Sequence, residues 1–137
     1  MNDEELRQAM AMLDVYRSQL ESMGNQVQLL QMSLEEAGRA KDTLEAFQGS
    51  QEGDELLVPV GASSFVRAKV ADASSAIVGV GNKLSVERNM DDAISFLDKN
   101  IGDIKEALKQ ATESTQELEN RARSLSAAVQ KAYQERQ

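Results

Sequence analysis

Two short stretches of this sequence resemble sites of chemistry. Gly79-Val80-Gly81-Asn82-Lys83 sets glycines beside a lysine, as a phosphate-cradling loop would. It lacks the Gly-Lys-Ser/Thr order and does not lead directly into a helix, so it reads as a hairpin turn at Gly81-Asn82. Gly61-Ala62-Ser63-Ser64-Phe65 loosely resembles a nucleophile elbow, but the closing glycine is absent. The chain has no histidine to serve as the base. Glu35-Glu36 and Asp91-Asp92 are neighbours on helices, where adjacent residues point to different faces and make poor metal or acid–base pairs. With no His, Cys or Trp, the commonest general base and the commonest metal ligands are missing. The sequence therefore predicts no catalytic residue, no metal site and no cofactor.

Charge narrows the partners. Asp and Glu number 23 against 15 Lys and Arg, for a net charge of −8. That balance, without a basic cluster, repels phosphate, so no nucleic-acid partner is expected. The longest apolar-leaning run, residues 76–81, is far too short for a membrane span, and the acidic opening at residues 1–6 lacks the character of a signal peptide. The absence of cysteine rules out a disulfide framework. A soluble, cytoplasmic, non-enzymatic single domain with no membrane contact is the expectation.

What positions the remaining side chains is a pair of heptad patterns. In the first third, a positions hold Leu6, Leu13, Leu20, Val27, Leu34 and Lys41; d positions hold Ala9, Tyr16, Met23, Leu30, Ala37 and Leu44. In the last third, a holds Ile94, Ile101, Leu108, Thr115, Ala122 and Val129, and d holds Leu97, Ile104, Ala111, Leu118, Leu125 and Ala132. Such spacing keeps an apolar stripe on one face of a coiled-coil helix, with Lys41 and Thr115 as the polar exceptions. Asn2, with Glu5 three residues on, predicts a capping box, and Gly49 a C-terminal stop, giving a helix over 3–48. Asn89 is a second candidate N-cap, for a helix over 89–135.

Equal helices with a short middle predict an antiparallel hairpin in which Leu6 faces Ala132, Leu13 faces Leu125, Met23 faces Thr115 and Leu44 faces Ile94. The e and g positions, among them Met10, Met12, Gln19 and Gln26, carry little charge. Zippers between chains usually choose partners by charge there, whereas a tethered hairpin does not need to. An intermolecular zipper is the alternative.

The middle, 54–88, changes character to short β-branched runs at 55–60, 65–70, 76–80 and 83–87, separated by turn residues. Two β-hairpins fit, over 55–70 and 76–87, with Pro59 at an edge or bulge. Four short strands close no core of their own, and their edges carry unpaired N–H and C=O groups. The region therefore predicts an obligate oligomer joined through its strands. The apolar positions for that contact are Leu57, Val58, Val60, Phe65, Val66 and Val70 in the first hairpin. Ile77, Val78, Val80, Leu84 and Val86 serve in the second.

At the free ends of the helices the apolar stripe widens beyond the seam. Met1, Met10, Met12 and Tyr133 lie outside a and d, beside the seam residues Leu6, Leu13, Leu125 and Val129. Met is flexible and polarizable and recurs on surfaces that accept varied partners. These eight form a candidate client-binding tip; covering a fraying end or a neighbouring subunit is the plainer alternative. Burying roughly 300 Å² of apolar surface there yields at most about 7 kcal/mol, much of it consumed by association and ordering, so several weak tips acting together suit the task better than one.

The middle segment also carries a resemblance. Leu57-Val58-Pro59-Val60-Gly61, Phe65-Val66-Arg67-Ala68-Lys69-Val70, Ile77-Val78-Gly79-Val80-Gly81 and Leu84-Ser85-Val86-Glu87-Arg88 resemble the alpha subunits of the prefoldin family, archaeal in type. The helix–two hairpins–helix plan matches over essentially the whole chain. The resemblance implies a hexamer of two alpha and four beta subunits, in which β-hairpins build a central double barrel and coiled coils project from it. It further implies an ATP-independent chaperone that captures non-native polypeptides at the coiled-coil tips and hands them to a group II chaperonin. A structural scaffold or tether for specific partners is the alternative.

Overall fold

A computed structural model describes residues 1–136. In chain order it contains helix α1 (Asp3–Gln48), strands β1 (Glu55–Gly61), β2 (Ser64–Lys69), β3 (Ser75–Gly81) and β4 (Leu84–Asn89), and helix α2 (Met90–Glu135). The fold is mainly α, with the two antiparallel hairpins inserted between long helices. Among the described residues, no helix is long and apolar enough to cross a membrane.

Both helices begin by the same device. The Glu5 N–H donates to Asn2 Oδ1 at 2.8 Å, and Asn2 Nδ2 donates to Glu5 Oε1 at 3.2 Å. At α2, the Asp92 N–H donates to Asn89 Oδ1 at 2.8 Å and Asn89 Nδ2 to Asp92 Oδ2 at 2.9 Å. Each satisfies an orphan N–H and places a carboxylate at the positive end of the helix. It differs from the expected capping box in that the carboxylate meets the side-chain amide of the cap, not its backbone. The exit of α1 also differs in means. Gly49 is not among the positive-φ glycines; instead the Ser50 N–H and Oγ both donate to the Phe47 carbonyl, at 3.0 and 2.6 Å.

The chain divides into two compact units. Unit 1 joins Met1–Ser33 with Ile104–Gln137, and unit 2 is Leu34–Asp103. Within unit 1, Leu6, Ala9 and Leu13 of α1 share a buried core with Val129 and Ala132 of α2, and Leu125 packs against it. All six are heptad a or d residues. The start of α1 thus meets the end of α2, so the two segments run antiparallel. Thr115, polar in the seam, turns its hydroxyl back to the Ala111 carbonyl at 2.7 Å.

Within unit 2, the other polar seam residue finds a partner across the pair: Lys41 Nζ lies 2.7 Å from Asp98 and 3.7 Å from Glu45. One turn beyond Glu45, Gln48 Nε2 donates to Asp91 Oδ1. The hairpins repeat one plan at an offset of 20 residues. Glu55 pairs with Lys69, as Ser75 does with Asn89; Val58 pairs with Val66, as Val78 does with Val86. Both registers shift at the same place, leaving Val60 and Val80 without partners, and Pro59 stands beside the first shift. The second turn falls one residue later than the expected Gly81-Asn82, while the first lies within the expected gap between the runs at 55–60 and 65–70. Ala62-Ser63 (φ 49° and 58°) and Asn82-Lys83 (φ 51° and 61°) are the central pairs, with Gly61 and Gly81 preceding them at φ 107° and 101°. Two successive positive φ values are what a type I′ hairpin turn requires.

Candidate functional site

The positions that suggested chemistry have structural duties. Gly79 to Lys83 is the end of β3 and its turn, and Ser63 is a central turn residue. Asp91 is held by Gln48, and Asp92 pairs with Asn89, the N-cap of α2. Among the described residues, no group of three or more His, Cys, Asp or Glu stands where it could hold a metal ion. What the molecule offers instead is two apolar surfaces.

The first lies on the hairpins. Antiparallel pairing puts Leu57 opposite Arg67, Pro59 opposite Phe65, and Ile77 opposite Glu87 on the outward faces. Ile77 is 77% exposed, Leu84 63%, Leu57 62% and Phe65 57%. Val58, Val60, Val66, Val80 and Val86 are also exposed. The opposite faces, which carry the exposed Val58, Val66 and Val86, turn inward only in part: Leu56 and Ala68 are half-buried, as are Ala76 and Arg88, while Val70, Val78 and Met90 are buried. Val70 and Val78 were expected at the oligomer contact. They are enclosed by their own unit, because alternation along the strand gives each hairpin an inner face that packs near the helix ends. Arg88 lies over the Phe96 ring, 5.1 Å from its centroid, and its Nε is buried without a hydrogen-bond partner among the described residues.

The second surface is the terminal end of unit 1. Here the eight expected tip residues separate. Leu6, Leu13 and Val129 are buried in the interhelical core and Leu125 packs on it. Their periodicity placed them in the seam, and the seam is closed. Met1, Met10, Met12 and Tyr133 stay exposed, from 43% to 50%. The open surface is thus narrower than eight positions suggested, and Val15, 46% exposed and not singled out from the sequence, lies on the same unit. The Tyr133 hydroxyl donates to the Met10 sulfur at 3.5 Å. Arg136 ties the two chain ends, pairing with Asp3 and donating to the Met1 carbonyl at 3.3 Å.

Two groups in unit 2 titrate away from their ordinary values. The hydrogen bond to Asp98 raises the Lys41 ammonium; partial desolvation opposes it, and the nearby charges of Asp98, Glu45 and Asp42 add to the rise. Between the hairpins, Asp72 accepts from the Ser74 hydroxyl (2.5 Å), the Ser74 N–H (2.8 Å) and the Ser75 hydroxyl (3.1 Å), which lower its carboxyl. Both hold structure together.

Comparison with known proteins supplies the context. Residues 16–135 match the family model described as Prefoldin subunit. The chain is 34% identical to Prefoldin subunit alpha of Pyrococcus horikoshii over 134 residues, covering 97% of this chain and 90% of that protein. It is 31% identical to Prefoldin subunit alpha of Methanoculleus marisnigri over 121 residues, covering 88% and 80% respectively. Among solved structures, the fold matches filamentous PFD from Methanocaldococcus jannaschii with a TM-score of 0.72 and 23% identity, over 89% of this chain and 98% of that one. The prefoldin beta subunit from Thermococcus strain KS-1 matches with a TM-score of 0.64 and 21% identity, over 93% and 91%.

Proposed function

This chain belongs to the prefoldin family, and on that premise we propose that it is the alpha-type subunit of an ATP-independent holding chaperone. Its hairpins pair with those of neighbouring subunits, two alpha with four beta, through a contact segment over 54–88. The terminal end of unit 1 captures non-native polypeptides and passes them to a group II chaperonin. The observation that carries the holding role is the set of exposed methionines left outside a core that is already closed. Leu6, Leu13 and Val129 complete the seam without them, so Met10 and Met12 are free for another partner. A methionine side chain adapts to many shapes, which suits a client without one shape.

The assembly half rests on exposure of another kind. Two-stranded hairpins are marginal alone, and these present Ile77, Leu57 and Phe65 to solvent beside unpaired strand edges. Each tip binds weakly; several on one assembly hold a client through avidity.

The test is an aggregation assay on several unrelated, chemically unfolded proteins. The assembled complex is compared with one whose copies of this chain lack residues 1–12 and 126–137. Protection that falls on trimming, with assembly intact, supports holding at these ends. If the intact complex protects none of the clients, the chain is a scaffold or tether, and the exposed methionines form a docking surface for one fixed partner.

A further inference from the structure

We propose that Met10 and Met12 form a reversible oxidation site through which peroxide turns client holding off; the inference rests on the holding role proposed above. All sulfur in this chain is methionine, since cysteine is absent and six methionines are present. No thiolate is available to take the oxidant first, so oxidation of the chain's sulfur falls on its thioethers. The methionines are unequally placed. Met90 is 4% exposed and Met23 is half-buried, whereas Met10 and Met12, within α1, are 43% and 45% exposed on the surface assigned to clients, as is Met1, 50% exposed, ahead of the helix. Peroxide reaches the second pair and not Met90.

The step needs only hydrogen peroxide. A sulfur lone pair attacks one peroxide oxygen and the O–O bond breaks. An S–O bond forms, and the other oxygen leaves as water after taking up the proton. Sulfur is oxidised by two electrons and the peroxide is reduced by two. A flexible apolar side chain becomes a polar one, which undoes the property that lets it cover an unfolded segment. Methionine sulfoxide reductase with a dithiol reverses the step, yielding methionine, water and a disulfide.

Tyr133 distinguishes the two sulfurs. Its hydroxyl donates to Met10 at 3.5 Å, occupying a lone pair that would otherwise attack peroxide. Met12 therefore oxidises first, and Tyr133→Phe speeds oxidation of Met10. Met32 is a control built into the chain. It is 58% exposed, yet lies 20 residues from Met12, or roughly 30 Å along α1. It is oxidised readily without touching the client surface.

The experiment treats the assembled complex with hydrogen peroxide, destroys the excess with catalase, maps sulfoxides by mass spectrometry, and then adds an unfolded client. Helicity is followed by circular dichroism, and each protein is compared with its own untreated sample. The expected result is that treated wild type needs roughly tenfold more complex for equal protection, with helicity unchanged, and that the reductase restores it. Met10→Leu with Met12→Leu loses this response, and Met32→Leu retains it. Full protection by a complex shown to carry both sulfoxides overturns the proposal, as does an equal loss in the Met10→Leu, Met12→Leu variant. An untreated complex that protects nothing overturns the holding role and this inference with it.

Discussion

The chain leaves apolar side chains in water in two places, and it builds them from different residues. The hairpins expose Leu57, Val60, Phe65, Ile77 and Leu84; the terminal end of unit 1 exposes Met10, Met12 and Tyr133. Val60 and Ile77 are β-branched and stiff at χ1, and the pleated strand fixes where each of the five stands. Methionine has three rotatable bonds and a polarizable sulfur. Under the proposed function, the first surface suits one complementary shape and the second suits many. On the function proposed above, one chain carries a surface for a fixed neighbour and a surface for a changing one.

The largest effect expected separates them outright. Ile77→Asp with Leu57→Asp sets two charges where apolar contact is required, costing about 2–3 kcal/mol of association at each position. Sedimentation of the purified subunits should then show loss of assembly, while Met12→Asp leaves assembly intact and lowers client protection. A double variant that assembles normally would remove the hairpin faces from the interface and end the contrast.

A smaller effect tests how rigid the first surface must be. Ala62 and Ser63 both hold positive φ, which costs residues with a Cβ on the order of 1 kcal/mol each. Ala62-Ser63→Asn-Gly supplies the residues a type I′ turn prefers, and should raise unfolding stability by about 1 kcal/mol without altering protection. Denaturant titration of the assembly reads the gain. No gain would mean that the positive φ values of Ala62 and Ser63 cost the turn little.

Smaller still is the exchange of one kind of surface for the other. Met10→Ile with Met12→Ile keeps the apolar character and removes the flexibility. Protection should fall roughly two- to threefold for some unfolded clients and hold for others. Uniform protection across clients would mean that apolar area alone, not adaptability, does the holding.

The helices were legible because a seam repeats. Leu6, Leu13, Val129 and Ala132 meet where the heptads put them, and the caps at Asn2 and Asn89 could be read from residue type alone. Even Lys41, the misfit at an a position, is answered by Asp98 across the pair. The strands were legible in number and pairing, from β-branched runs between turn residues. The second turn was placed one residue early, because Gly81 draws the eye as a turn residue while the bulge at Val80 moves the pair onto Asn82-Lys83. The 20-residue repeat was missed although Leu57-Val58-Pro59-Val60-Gly61 and Ile77-Val78-Gly79-Val80-Gly81 display it. Had it been aligned, it would have set both turns together. Periodicity names the residues that carry an apolar body without saying which of them the seam consumes. Hence four of the eight tip candidates lie in or against the core, and the residues left exposed stand just off the pattern. Burial of Val70 and Val78 was hidden in the same way, since alternation marks two faces without marking which one turns inward.

pH offers the faintest handle on the hairpin surface, and it acts at the link between the hairpins. Asp72 is lowered by the hydroxyl and N–H of Ser74, so it steadies the link above its ordinary value near 3.8, and that support is lost as pH falls through the lower folded value. Lys41 is raised, so the Asp98 pair contributes fully below about 10.5 and weakens only as pH climbs through the higher folded value. From pH 5 to 9 neither group changes charge, and assembly through the hairpins should be flat across that range. Below it, exchange of the Ser74 amide should quicken as Asp72 is protonated. Asp72→Asn keeps an acceptor and removes the titration, so the acid response of that amide should vanish in hydrogen exchange followed by NMR. An unchanged response in the variant would move the acid sensitivity to another carboxylate, and the link would owe its order to the strands at either side.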